Sequence, residues 1–154
     1  RDRPAQLVIA GDGPERAGIL AEAERLGVAH RVHLPGFIAD PARVVGLFDV
    51  FALSSRSEQF PISIVEAMAA GLPVVSPAVG DVAAMVAGAN APLIVAPGDE
   101  ALLAGALAKL AADPAARRTI GAANQALARQ QYGEGKMIER YRALYWGLMG
   151  RKFA

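Results

Sequence analysis

The stretch Val50–Ser76, VFALSSRSEQFPISIVEAMAAGLPVVS, decides the fold. Val50–Leu53 is a short, non-alternating apolar run, which reads as a strand of a parallel sheet buried on both faces. A polar loop follows, and Ile62–Ala70 is a helix closed by Gly71. Pro61 suits the first helical position, because its missing N–H needs no partner and its φ is preset. Pro73–Ser76 is a second apolar run. Strand, loop, helix, strand is one βα repeat.

The same rhythm extends in both directions. Gln6–Ala10 reads as the first strand, broken by Gly11-Asp12-Gly13-Pro14. Glu15–Leu26 is a helix with Ile19, Leu20, Ala23 and Leu26 on one face, ended by Gly27. Arg31–Leu34 is the second strand, stopped by Pro35-Gly36, and a short helix over Ala42–Leu47 leads to Val50. Beyond Ser76 the pattern predicts a short helix at Val82–Ala87 and a fifth strand at Leu93–Val95. Helices follow over Glu100–Ala112 with Asp99 as N-cap, Ala115–Gln131, and about Lys136–Met149. Five short strands joined by helices predict an α/β fold, a Rossmann-like doubly wound parallel sheet with a helical C-terminal tail. Residues 1–154 read as a single domain, with residues 131–150 as a C-terminal crossover helix.

Composition narrows the function classes. Of 154 residues, 53% are hydrophobic and 33 are alanine, which fits a helix-rich chain with one core. No apolar stretch reaches the roughly 20 residues that span a bilayer. Without cysteine there is neither a disulfide scaffold nor thiolate chemistry, and the two histidines, His30 and His33, are too few for a His-based zinc site. The net charge is +1, which gives no sign of nucleic acid as a partner. Residues 1–113 carry 8 basic and 13 acidic side chains; residues 114–154 carry 8 and 2. A basic tail of this kind is either a solvated helical face or a contact for an anionic membrane surface or acidic partner. Tyr141, Leu144, Tyr145 and Leu148 form an i, i+3, i+4, i+7 stripe, expected to pack in the core or between domains. The alternative is an interfacial membrane helix, with Lys136, Arg140, Arg142, Arg151 and Lys152 as its basic side.

Ligands of open α/β sheets bind beyond the carboxyl ends of the strands. Gly11-Asp12-Gly13-Pro14 has the place of a phosphate loop but is not the dinucleotide fingerprint, because Arg16 stands where the third glycine belongs. The second strand also lacks the acid that would hold an NAD ribose, which disfavours an oxidoreductase. The loop Ser54–Pro61 is more pointed. The free amides of Ile62 and Ser63 face the crevice as a ready diphosphate site. Glu58 precedes the helix, and Glu66 lies within it among Ile64, Val65, Ala67 and Met68. A carboxylate on the apolar side of a helix needs a partner, and a pair of sugar hydroxyls is one. The plainer alternatives are a surface carboxylate for Glu66 and an exposed loop acid for Glu58. Arg56, in the same loop, is expected to be solvated.

These residues resemble the C-terminal nucleotide-binding domain of GT-B fold, family 4-type (group 1) retaining glycosyltransferases. The resemblance rests on Leu7–Pro14, Arg31–Phe37, Asp49–Leu53, Glu58–Leu72, Pro73-Val74-Val75, Val79-Gly80 and Ala96–Asp99, and on the seven residues between Glu58 and Glu66. It implies transfer of a sugar from a nucleotide-diphosphate sugar with retention, no cofactor and no catalytic metal. By the resemblance, Glu66 binds the ribose hydroxyls and Glu58 lies at the donor sugar and transferring centre. The amides around Phe60, Ile62 and Ser63 hold the diphosphate, Gly36–Ile38, with Phe37, meets the base through backbone groups, and Gly11 and Gly13 line the donor crevice.

Three departures stand out. Gln59 replaces the commoner glycine, and the segment from Gly80 lacks the glutamate often found there. The Arg and Lys that relatives place upstream of Leu7 are not in this sequence. The chain is therefore expected to be a piece of a longer protein, inactive alone, whose acceptor is bound by an N-terminal GT-B domain. The competing reading is a freestanding nucleotide- or sugar-phosphate-binding module. The expected location is the cytoplasm, at the inner face of a membrane if the basic tail binds lipid.

Overall fold

The computed structural model describes residues 5–150. Its elements are β1 (Leu7–Ala10), α1 (Arg16–Arg25), β2 (Val32–Gly36), α2 (Ala42–Val45), β3 (Phe51–Ala52), α3 (Ile62–Ala69), β4 (Val74–Pro77), α4 (Val82–Met85), β5 (Ile94–Val95), α5 (Glu100–Ala112), α6 (Pro114–Gln131) and α7 (Glu134–Leu148). The fold is α/β, every strand pairing is parallel, and the C-terminal part is helical. Among the described residues the ladder is not one sheet. It runs in two parts, β1-β2 and β3-β4-β5. The chain correspondingly divides into two compact units, one ending at Val44 and the other beginning at Val45.

The first unit has little interior. Leu7 and Val8 of β1 are exposed, as are Leu20 and Leu26 of the expected apolar face of α1, and among its described residues only Ala23 is buried. Two strands and one ten-residue helix enclose too little volume to bury more. Pro35 does not stop β2, which runs on to Gly36. Arg16 explains its own presence where a dinucleotide loop has glycine. Its guanidinium donates to the Leu34 carbonyl at 2.9 Å and ties the start of α1 to β2.

The second unit carries the core, and β4 is its axis. All four residues of β4 are buried, because both faces of the strand are covered. Val74 joins Ile64, Ala67 and Met68 of α3 with Val82 and Met85 of α4 on one side. Val75 joins Leu93 and Leu110 on the other. Helix α6 lies so close to the end of α3 that a Cβ on Gly121 would overlap the Gly71 carbonyl oxygen.

Two asparagines lock this packing, both with no solvent exposure. Asn90 accepts from the Val74 amide and donates to the Val74 carbonyl, each at 2.8 Å. Asn124 donates to Asn90 Oδ1 at 2.8 Å and to the Leu72 carbonyl at 2.9 Å, and accepts from the Ala87 amide at 3.1 Å. Asn90 stands in a 3-10 segment, Gly88–Leu93, that the apolar pattern does not reveal.

The caps largely follow sequence chemistry. Asp99 accepts from the Leu102 amide as expected. Asp113 does the same for Ala116, with Pro114 opening α6 one residue before the expected start. Pro61 differs. It sits at the N-cap with extended backbone (φ −70°, ψ 109°), and Ile62 is the first helical residue. Its carbonyl already accepts from Ile64, the task of a cap residue rather than of the first turn.

Helix α7 buries no residue, so the stripe of Tyr141, Leu144, Tyr145 and Leu148 is not core. Its basic side is partly turned inward. Lys136 donates to the Gln130 carbonyl and to Gln131 Oε1, and Arg140 donates to the same oxygen, which neutralises the carboxyl end of α6. Arg151 and Lys152, counted with that basic side, lie outside the described residues. No helix among the described residues is long and apolar enough to cross a membrane.

Asn90→Ala orphans both Val74 backbone groups and one Asn124 donor in a dry interior. It should lower the free energy of unfolding by about 2–4 kcal/mol in urea titrations. Gln125→Ala, which loses one exposed bond to Ala69, should cost about 0.5 kcal/mol or less.

Candidate functional site

The predicted site residues fall into two groups, one in each compact unit. In the first unit, Gly11 and Gly13 form the turn between β1 and α1. The Gly11 amide donates to the Gly36 carbonyl at 2.9 Å, which joins this turn to the carboxyl end of β2. The Asp12 carboxylate accepts from the Gly13 amide, and the Gly13 carbonyl accepts from Arg16. An open concavity of about 230 Å³ lies against the turn, walled by Ile9, Ile19 and Leu34. Phe37 follows β2 with 80% of its surface exposed, and Ile38 beside it is half-buried.

In the second unit, the loop from Leu53 to Pro61 leaves the carboxyl end of β3 and brings together Glu58, Phe60, Ile62, Ser63 and Glu66. The amides of Phe60, Ile62 and Ser63 donate to no described residue. With no side-chain cap on α3, they stand as free donors at the positive end of the helix dipole. Ile62 is 62% exposed, so the first turn of α3 faces solvent.

Glu66 does not lie on the apolar face of α3. That face is formed by Ile64, Ala67 and Met68. Glu66 is half-buried one turn after Ile62, on the flank that keeps solvent contact. Glu58 is half-buried as well. Neither carboxylate makes a hydrogen bond or ion pair with the described residues. Two anchored but unpartnered carboxylates beside a cluster of free amides can accept from hydroxyls while the amides donate to an anion.

The loop that leaves β4 holds this arrangement from below. The Asp81 amide donates to the Gln59 carbonyl at 2.9 Å. Gly80 has φ +52°, and a Cβ there would overlap the Glu58 and Gln59 carbonyl oxygens. This loop lacks the glutamate that often follows the glycine in relatives. Its glycine instead permits a close approach of two backbones, a requirement set by tertiary contact and invisible to a local pattern.

Residues 1–113 match the family described as Glycosyl transferases group 1. The chain belongs to that family. It is 26% identical to the N-acetyl-alpha-D-glucosaminyl L-malate synthase of Bacillus anthracis over 94% of this chain and 38% of that protein. It is 35% identical to the 2-deoxystreptamine glucosyltransferase of Streptomyces kanamyceticus over 73% of this chain and 30% of that protein. Among solved structures, Anabaena HepE in complex with UDP superimposes with a TM-score of 0.86 at 26% identity, covering 93% of this chain and 41% of that one. HepE is also known in complex with UDP-glucose. The structural neighbours are GT-B glycosyltransferases, as the fold reading expected. This chain spans less than half the length of each of these relatives.

Gly80→Ala should force the Glu58–Gln59 carbonyls away. In amide exchange followed by NMR, protection of the Asp81 amide should be lost while that of Val74, held by Asn90, is kept.

Proposed function

We propose that this chain is the donor-binding part of a retaining glycosyltransferase, which moves a sugar from a nucleoside diphosphate sugar to an acceptor without a catalytic metal. The observation that carries the reading is the set of free amides at Phe60, Ile62 and Ser63 beside the unpartnered carboxylates of Glu58 and Glu66. A nucleoside diphosphate sugar offers both kinds of partner, phosphate oxygens for the amides and hydroxyls for the carboxylates.

The roles follow from charge. The diphosphate is the leaving group, and negative charge grows on it as the anomeric bond breaks. Backbone donors at a helix N-terminus stabilise that charge without reorganising. A carboxylate is repelled by the diphosphate and therefore serves elsewhere: Glu66 takes the ribose hydroxyls, and Glu58 stands at the sugar, whose anomeric carbon becomes cationic in an oxocarbenium-like transition state. The backbone at Phe37 and Ile38 receives the base, and the Gly11–Gly13 turn lines the donor crevice. The acceptor is bound by a preceding domain of the same protein, and a cytoplasmic location is part of this reading. The UDP and UDP-glucose complexes of HepE support a uridine donor.

Calorimetric titration of UDP, GDP, ADP and NAD is the direct test. One nucleoside diphosphate should bind selectively, and Glu66→Ala should weaken it by about 1–3 kcal/mol through lost charged hydrogen bonds. A response to NAD alone would overturn the reading. In the whole protein, Glu58→Ala should reduce kcat far more than nucleotide affinity; equal losses would remove Glu58 from the sugar.

A further inference from the structure

Tyr132 is the last residue before the α6–α7 corner, far in sequence from every residue of the candidate site. It nonetheless touches the loop that carries it. Its ring meets Phe60 edge-on, with centroids 5.7 Å apart and planes at 75°, a favoured geometry for an aromatic pair. Its hydroxyl donates to the Met85 carbonyl at 3.0 Å. Burial raises its pKa above the usual phenol value, which keeps the hydroxyl a donor.

These contacts close a circuit. Met85 donates its amide to the Asp81 carbonyl at 3.0 Å, and Asp81 donates to the Gln59 carbonyl at 2.9 Å. Gln59 is bonded to Phe60, and Phe60 returns to Tyr132. The Glu58–Pro61 loop is thus gripped twice, through backbone by the loop after β4 and through the Phe60 ring by Tyr132. Phe60 remains 43% exposed, so it is anchored at one edge rather than sunk in the core.

We propose that Tyr132 is a positioning residue of the nucleotide site: through Phe60 and Met85 it sets where the free amides of Phe60, Ile62 and Ser63 stand. The inference rests on reading that turn as the diphosphate site. Tyr132 does not touch the ligand. It acts by restricting the loop to the geometry in which the donors converge, so that binding pays less to order them.

The test separates positioning from mere stability. Tyr132→Phe keeps the ring pair and loses the hydroxyl bond; Tyr132→Leu loses both. Leu127→Ala trims a neighbouring core residue of α6 outside the circuit. With UDP as the probe, Tyr132→Leu should bind about tenfold more weakly, and Tyr132→Phe, which loses only the Met85 link, about threefold more weakly than the unaltered chain. Leu127→Ala should lower Tm and leave affinity alone. Amide exchange without nucleotide should show faster exchange at Asp81 in Tyr132→Leu and unchanged exchange there in Leu127→Ala. A Tyr132→Leu chain that loses Tm but keeps both UDP affinity and Asp81 protection overturns the proposal. If the unaltered chain takes up no UDP, the reading of the site fails, and the exchange arm decides the role of Tyr132 alone. Should Tyr132→Leu not fold, Phe60→Leu breaks the same contact from the exposed side, and unchanged Asp81 exchange in that variant overturns the proposal equally.

Discussion

The hydrogen-bonded pair Asn90 and Asn124 is the constraint on which the second compact unit depends. Strand β4 is covered on both faces, and the chain segments beside it contribute backbone polar groups that no ladder satisfies. The two amide side chains answer them in a dry interior, where an unpaired group costs far more than a made bond returns. Because each asparagine has only one geometry that serves all its partners, the pair also sets the register. Asn124 fixes the roll of α6, Asn90 fixes the approach to β5, and both pin the backbone on either side of Val74. Helix α6 then brings Gly121 onto Gly71 and Tyr132 to Phe60.

Much of this was legible from residue order. β-Branched runs and Pro or Gly punctuation located all five strands, and the aspartate before Glu100 located the cap of α5. The family resemblance singled out Glu58 and Glu66, two half-buried carboxylates that the fold sets beside the start of α3. Errors arose where one residue type serves two purposes. Proline before a helix suits the first turn, yet Pro61 caps it. A glutamate amid apolar neighbours suggested the buried face, yet helical geometry carries Glu66 to the flank. The division after Val44 and the two-part ladder leave no local trace, since strand pairing is decided between segments rather than within them.

What stayed hidden in the sequence were residues whose importance is entirely tertiary. Asn90, Asn124 and Tyr132 have no periodicity, spacing or charge that sets them apart. A polar residue in a helix is by default a surface residue, and only the finished packing shows that two of them are fully enclosed. The candidate site shows the complementary case. Its free amides follow from any uncapped helix start, so the sequence located them well, whereas the two supports that orient them come from residues about 20 and 70 positions further along the chain.

Helix α7 has a consequence of another kind. A helix of 15 residues with no fully buried side chain receives little tertiary stabilisation, and helices of that size are marginal on local interactions alone. Two of its anchors lie near its beginning, where Lys136 and Arg140 reach back to Gln130 and Gln131. The apolar residues that would reward burial most, Leu144, Tyr145 and Leu148, stand in its later turns and are exposed. A surface laid against that stripe would add the tertiary support that local interactions give a helix of this length only sparingly.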